Sequence, residues 1–241
     1  MRRGAVALSS VMLAALPAVA AATPVSFPHG TLDYQFTTTH TNAPAGWTFK
    51  GDYHAAGDTN ADPPYMRSMT FHNPVGYRLD TSVPERCTAS DAQLALFGPS
   101  ACPPGSQIAA GTATGKFQGQ TTTLDVSVFN NTGEQIMVGQ SPLVATVMHG
   151  VIGPDASVTY ASPTCYPAIP SVPCAVDDVL QLGSAVSGEA ITRTVNRVVV
   201  SYATTPPTCP KAGYWQSPIS FIWADGTQDA GVTRQSCTRR R

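Results

Sequence analysis

The chain has 241 residues, is 42% hydrophobic and only 12% charged, and carries a formal net charge of -1 at pH 7. Nucleic-acid binding needs a basic footprint over a whole face, and this balance does not provide one, so no nucleic-acid partner is expected. The length suits one large all-β domain and is sufficient to bury a sizeable core.

The N-terminus reads Met1-Arg2-Arg3, then an apolar run as far as Leu16, a break at Pro17, and small residues at Ala18, Ala20 and Ala22. A basic start, a short apolar core and a small-residue exit predict a secretory signal peptide over residues 1–22. A single domain over residues 23–241 remains. The apolar run is too short to anchor in a bilayer, and no later stretch reaches the ~20 apolar residues of a span. The expected location is secreted, extracellular or cell-wall associated, with no transmembrane segment in the mature chain. Losing Arg2 and Arg3 makes that mature chain more acidic still.

Strands are expected over residues 32–38, 47–53 and 66–72, where β-branched and aromatic residues gather between turn signals. Helical spacing appears once. Thr88 can cap, Asp91 takes the third helical position, Ala92, Leu94, Ala95, Leu96 and Phe97 follow, and Gly98-Pro99 stops the run. Further strands are expected at 107–117, 136–139, 144–150 and 180–186. Leu124-Asp125-Val126-Ser127-Val128 alternates with period two, which buries one face and wets the other. Asn196-Arg197-Val198-Val199-Val200-Ser201-Tyr202 is another strand, and Thr204-Thr205-Pro206-Pro207 must leave the sheet. Trp215, Ile219, Phe221 and Trp223 share a parity, so they point to one side of a strand that ends at the turn signal Asp225-Gly226.

The six cysteines follow the same order. Behind an export signal an even set is normally all paired. Sequence neighbours are the shortest loops to close, which gives Cys87/Cys102, Cys165/Cys174 and Cys209/Cys237. The second pair would clamp the proline-rich loop Pro163-Thr164-Cys165-Tyr166-Pro167-Ala168-Ile169-Pro170. Many short strands, one helix and up to three disulfides predict an all-β fold, a two-sheet antiparallel β-sandwich with one short capping helix.

Two stretches carry a resemblance. One is Tyr77-x-Leu79-Asp80-x-Ser82-x-Pro84-x-Arg86-Cys87-Thr88, followed by Ala101-Cys102-Pro103-Pro104-Gly105-Ser106-x-Ile108. The other is Thr208-Cys209-Pro210-Lys211-x-Gly213-x-Trp215, followed by Phe221, Asp225-Gly226 and Cys237. Together they resemble secreted proteins of high-GC Gram-positive bacteria, a functionally uncharacterised group. The shared residues are architectural, so the resemblance implies fold and compartment and transfers no catalytic residue.

No catalytic motif is complete. Gly139-Gln140-Ser141-Pro142-Leu143 holds only the first half of a Gly-x-Ser-x-Gly nucleophile elbow, and His149 stands alone on a strand as a candidate base. A glycosidase needs two carboxylates across a cleft. Asp33, Asp52, Asp80, Glu85, Glu134 and Glu189 are candidates that sequence spacing cannot pair, and Asp177-Asp178 on a strand would face opposite ways. Asp58-Thr59-Asn60-Ala61-Asp62 begins like a calcium loop, but Pro63 replaces the required glycine and Met69 the closing glutamate. Secreted copper enzymes use a mature N-terminal histidine, whereas His29 lies past any cleavage site. His40, His54, His72 and His149 form no His-x-His pair. No cofactor or metal is therefore implied.

Sugar-binding sandwiches stack flat aromatics on their ligands. Trp47, Tyr53, Tyr65, Tyr160, Tyr166 and Tyr214 are candidates, while Trp215 and Trp223 read as core. Tyr65, beside Pro63-Pro64, and Tyr166, on the clamped loop, are the two expected to be exposed and to stack a ligand. The sequence thus points to a secreted or envelope protein with a non-catalytic, structural or partner-binding role, its partner a polysaccharide or another envelope protein. A carbohydrate- or wall-binding module and an unrecognised hydrolase are the alternatives.

Overall fold

The computed structural model describes residues 24–167, 174–175 and 179–239. The expected signal peptide, Asp177-Asp178, Arg240 and Arg241 lie outside the described residues.

β1 (Val25–Phe27), β2 (Gly30–Phe36) and β3 (Trp47–Tyr53) open the chain, and β4 (Met66–Phe71) follows. The two-residue β5 (Arg78–Leu79) precedes helix α1 (Asp91–Phe97). Four longer strands then run up and down: β6 (Gln107–Phe117), β7 (Gln120–Asn131), β8 (Glu134–Gln140) and β9 (Val144–Ile152). β10 (Val158–Ala161), β11 (Thr164–Pro167) and β12 (Val179–Gly188) come next. β13 (Thr192–Val195), β14 (Val198–Ser201), β15 (Ala203–Thr204), β16 (Tyr214–Trp223) and β17 (Gln228–Ser236) complete the set. β3 and β6 have the bounds that the sequence reading expects.

Thirteen strands make one sheet, in the order β1-β2-β3-β12-β6-β7-β8-β9-β10-β4-β16-β17, with β11 also paired to β9. The two ends of this sheet meet. Between β2 and β17 a side chain stands in for the backbone ladder. Gln235 Nε2 donates to the Phe36 carbonyl at 2.8 Å, and the Phe36 N–H donates to Gln235 Oε1 at 2.7 Å. Just beyond, the Thr41 N–H donates to Thr238 O at 3.0 Å and the Thr238 N–H to Thr39 O at 2.8 Å. A Cβ at Gly231 would lie 3.1 Å from Val25 and 3.2 Å from Leu32, so the seam fits best around a glycine. The architecture is a nearly closed barrel, where the sequence reading expects a two-sheet sandwich. Alternation along a strand fixes which face is inside; it does not fix whether the sheet curls back on itself.

The barrel interior is aromatic. Trp215, Ile219, Phe221 and Trp223 all point inward and are fully buried, as their parity predicts. Phe27 stacks on Phe221 at 4.8 Å between centroids, and Phe36 on Tyr77 at 4.8 Å. At one end Asp229 Oδ2 takes three donors: His29 Nδ1 at 2.7 Å, Trp223 Nε1 at 3.0 Å and the His29 backbone N–H at 3.3 Å. Both His29 and Asp229 are buried, so this cluster satisfies polar groups that the core encloses.

A second core lies outside the barrel. Leu94 of α1 packs with Cys87, Cys102, Phe129, Ile136, Val138 and Val147 on the outer face of β7, β8 and β9. This cover dries the far end of β7, where Ser127 is buried although alternation marks it as wet. Ser90, not Thr88, caps the helix. The Gln93 N–H donates to Ser90 Oγ while Gln93 Oε1 accepts from the Ser90 N–H, which places Asp91 at the first helical position. Starting there turns Leu94 onto the sheet, and Gly98 ends the helix as expected.

Cys87–Cys102, Cys165–Cys174 and Cys209–Cys237 are all paired, and no described cysteine is free. The clamped loop is partly strand, since Thr164–Pro167 pairs with β9 as β11. The strand expected from Asn196 begins only at Val198. Asn196 and Arg197 have φ of 50° and 66°, a left-handed pair that turns β13 into β14.

Candidate functional site

Of the expected catalytic candidates among the described residues, only His149 and Glu134 are brought together. Ser141 is a turn residue. Its Oγ accepts from the Leu143 and Val144 N–H groups at 3.2 Å, at the end of the β8–β9 hairpin remote from His149. Asp58 accepts from the Asn60 N–H at 2.9 Å, and Asp62 pairs with Lys116 Nζ at 2.5 Å, which accounts for the half calcium motif. Asp33 takes the Gln35 amide, and Asp80 takes Ser82. Among the described residues no group of three or more His, Cys, Asp or Glu side chains is placed to hold a metal.

The expected stacking aromatics are not a platform. Tyr65 is 7% exposed, so its ring is buried where exposure was expected. Trp47, Tyr53 and Tyr160 are buried as well. Tyr166, on β11, is half-buried against the outer core. Tyr214, on β16, lies under the Arg234 guanidinium at 5.4 Å. Phe97, at the end of α1, is the one exposed aromatic among the described residues.

Two features were not legible in advance. In the first, His149 on β9 lies between two carboxylates. Its Nδ1 is 3.0 Å from Glu134 Oε2 on β8, and its Nε2 is 3.0 Å from Asp91 Oδ1 on α1. Asn131 Nδ2 donates to the other Glu134 oxygen at 2.8 Å, and Tyr166 stands nearby. Both ring nitrogens are engaged, so neither is left to deprotonate a nucleophile. The cluster pins α1 to the sheet instead.

Burial is the largest influence on His149 and pulls its pKa down. Hydrogen bonds to Glu134 and Asp91, with the charges of both carboxylates, outweigh it and hold the imidazole above its usual range. A raised folded-state pKa makes the stabilisation complete below the unfolded value of ~6.5, and it is lost as pH rises through the folded value. The stability difference between wild type and His149→Gln is therefore expected to be largest near about pH 5.5 and to shrink towards about pH 8.5. It should stay under ~1 kcal/mol because the site is partly exposed. Urea unfolding at both pH values checks this, and a pH-independent difference would refute it.

The second feature is the β13–β14 hairpin. It belongs to no larger sheet, so both of its outer edges are unpaired. Val195, Val198 and Val199 are 39%, 61% and 62% exposed. Arg193 and Arg197 are its only charges. Beside it an open groove of about 1010 Å³ runs between Val199, Val200 and Ser201 on one wall and Asn42, Arg78 and Asp80 on the other. A Val-rich strand with free edges is a template for pairing with another chain, which isolated proteins usually blunt with charge, proline or cover.

Comparison with protein-family models finds no match, and neither curated proteins nor solved structures match the chain.

Proposed function

We propose that this is an exported, non-catalytic protein that binds a protein partner of the cell envelope or its surroundings, through the β13–β14 hairpin. The observation that carries this reading is the hairpin's combination of exposed valines, unpaired edges and an adjoining groove. An extended partner segment would add to the free edge, with main-chain hydrogen bonds giving affinity and the groove receiving alternate side chains. Three disulfides support an oxidising compartment. No described helix is long and apolar enough to cross a membrane, which accords with a chain that is not anchored by one. The sugar-stacking alternative has no comparable support, because the candidate aromatics are buried or lie apart.

The test is photo-cross-linking in the native host. A photoreactive residue at Val198 is expected to yield one dominant protein adduct, absent when the same group stands at the exposed Thr121 near the start of β7. Equal labelling from both positions, or none from Val198, would overturn the reading. Adducts to wall polysaccharide instead of protein would move the carbohydrate reading ahead of it.

A further inference from the structure

We propose that the barrel lumen is a binding site for a single slender, uncharged hydrocarbon chain bearing one hydrogen-bonding group. Two cavities of about 40 Å³ and about 50 Å³ lie within the lumen. They adjoin, since Ala113, Val126, Met137 and Gln181 line both. Protein interiors are close-packed, and voids of this kind are few. These two are concentrated in one place, in a barrel whose remaining interior is filled by stacked rings.

Methionine is concentrated around them. The chain has six methionines, two of which, Met1 and Met12, precede the described residues. The other four, Met66, Met69, Met137 and Met148, all line these cavities. Methionine is unbranched and polarizable, and it repacks readily around a guest. Ala113, Met137, Met148 and Gln181 line the lumen and yet are only partly buried, so solvent reaches it.

The polar groups narrow the ligand. No charged residue lines either cavity, so a buried ionic headgroup would have no counter-charge. Four of the polar side chains are already paired. Tyr160 donates to Gln135 Oε1, Gln135 Nε2 donates to the Tyr202 hydroxyl at 2.9 Å, and the Tyr34 hydroxyl donates to Asn73 Oδ1 at 3.0 Å. Gln181 differs. It lines both cavities at a bulge in the β12–β6 pairing, and its amide makes no hydrogen bond within the described protein. Together with Ser184 Oγ, which lines the first cavity and is buried with no hydrogen-bond partner, it would meet a hydroxyl, ester or amide on the guest. Two small adjoining cavities suit an extended chain that spans both better than a compact ring, which would need one of them widened towards ~150 Å³. A thin chain can occupy both when the methionines move aside.

Octan-1-ol is the probe, and the methyl signals of methionine-labelled protein are the readout. Octan-1-ol is expected to shift the Met66, Met69, Met137 and Met148 methyl signals saturably, with at least tenfold weaker binding of cyclohexanol. Ala113→Ile fills the shared wall and is expected to abolish the shifts while the protein still melts cooperatively. Should that variant not fold, Gln181→Leu serves: it is expected to keep octane binding and lose the preference for the alcohol over octane. Methyl signals that do not move up to the solubility limit would overturn the proposal. So would equal binding by Ala113→Ile, or an alcohol preference undiminished in Gln181→Leu. None of these outcomes bears on the β13–β14 hairpin.

Discussion

Asp229→Ala is expected to lower the free energy of unfolding by about 3–5 kcal/mol, one of the largest losses from a single side chain in this protein. Asp229 Oδ2 alone accepts from His29 Nδ1, the His29 N–H and Trp223 Nε1, and all three residues are buried. Alanine leaves those donors without an acceptor, and each stranded buried donor costs ~1–3 kcal/mol. The same contacts hold the start of β2 against the β16–β17 hairpin, so the loss falls on the barrel seam. Asp229→Asn keeps an oxygen in the accepting position and should cost much less, about 1–2 kcal/mol. Urea denaturation of the two variants beside wild type checks the contrast. Equal effects, or an Asp229→Ala loss under about 1 kcal/mol, would mean that the cluster is not what satisfies this end of the core.

Breaking the Cys87–Cys102 bridge is the second large effect. The bridge closes a separation of 15 residues that contains α1. Releasing such a loop in the unfolded chain costs ~3 kcal/mol, within the ~2–5 kcal/mol typical of native bridges. The double variant Cys87→Ser, Cys102→Ser should therefore melt several degrees lower. It should also fail locally first. Leu94 is the fully buried residue of α1, and with the bridge gone it, the His149 cluster and the Gln140 Nε2 bond to the Ala95 carbonyl hold the helix over Phe129, Ile136, Val138 and Val147. Amide exchange is expected to accelerate across α1 while β16 and β17 stay protected. An unchanged melting temperature would show that the bridge does not stabilise the fold, and uniform acceleration would show that the helix is not a separate unit.

How much of this was readable depended on which physical signal each part carries. β3 and β16 were legible because their apolar residues alternate with period two and lie inside. The cysteine pairs were legible because each joins neighbours in sequence. The bounds of β17 were not, since its inward residues are Asp229, Gly231, Thr233 and Gln235, which give no apolar alternation. These residues are polar because they close the seam with side chains, so the feature that turns a sheet into a barrel also hid the bounds of its last strand. The run Val198-Val199-Val200 read as a strand of the sheet and forms half of a separate hairpin with Val198 and Val199 exposed, and composition cannot separate the two. His149 read as a lone histidine because its partners Asp91 and Glu134 lie 58 and 15 residues away. Tyr65 went the other way: neighbouring prolines suggested an exposed turn, and the ring is buried.

The same contrast shapes the functional reading. The residues that looked like chemistry are spent on structure: Ser141 on a turn, Asp58 and Asp62 on a loop and its lysine, His149 on a helix clamp. What remains unspent is the edge of a two-stranded hairpin and the groove beside it.

The measurement that tests this most directly is amide hydrogen exchange across residues 192–201, on the purified protein alone and after addition of an envelope extract from the native host. Free hairpin amides should exchange fast, and the account predicts that partner binding slows those of β13 and β14 while the barrel strands change little. Unchanged exchange in the hairpin, with protection appearing on another face, would contradict the account and place the interface elsewhere.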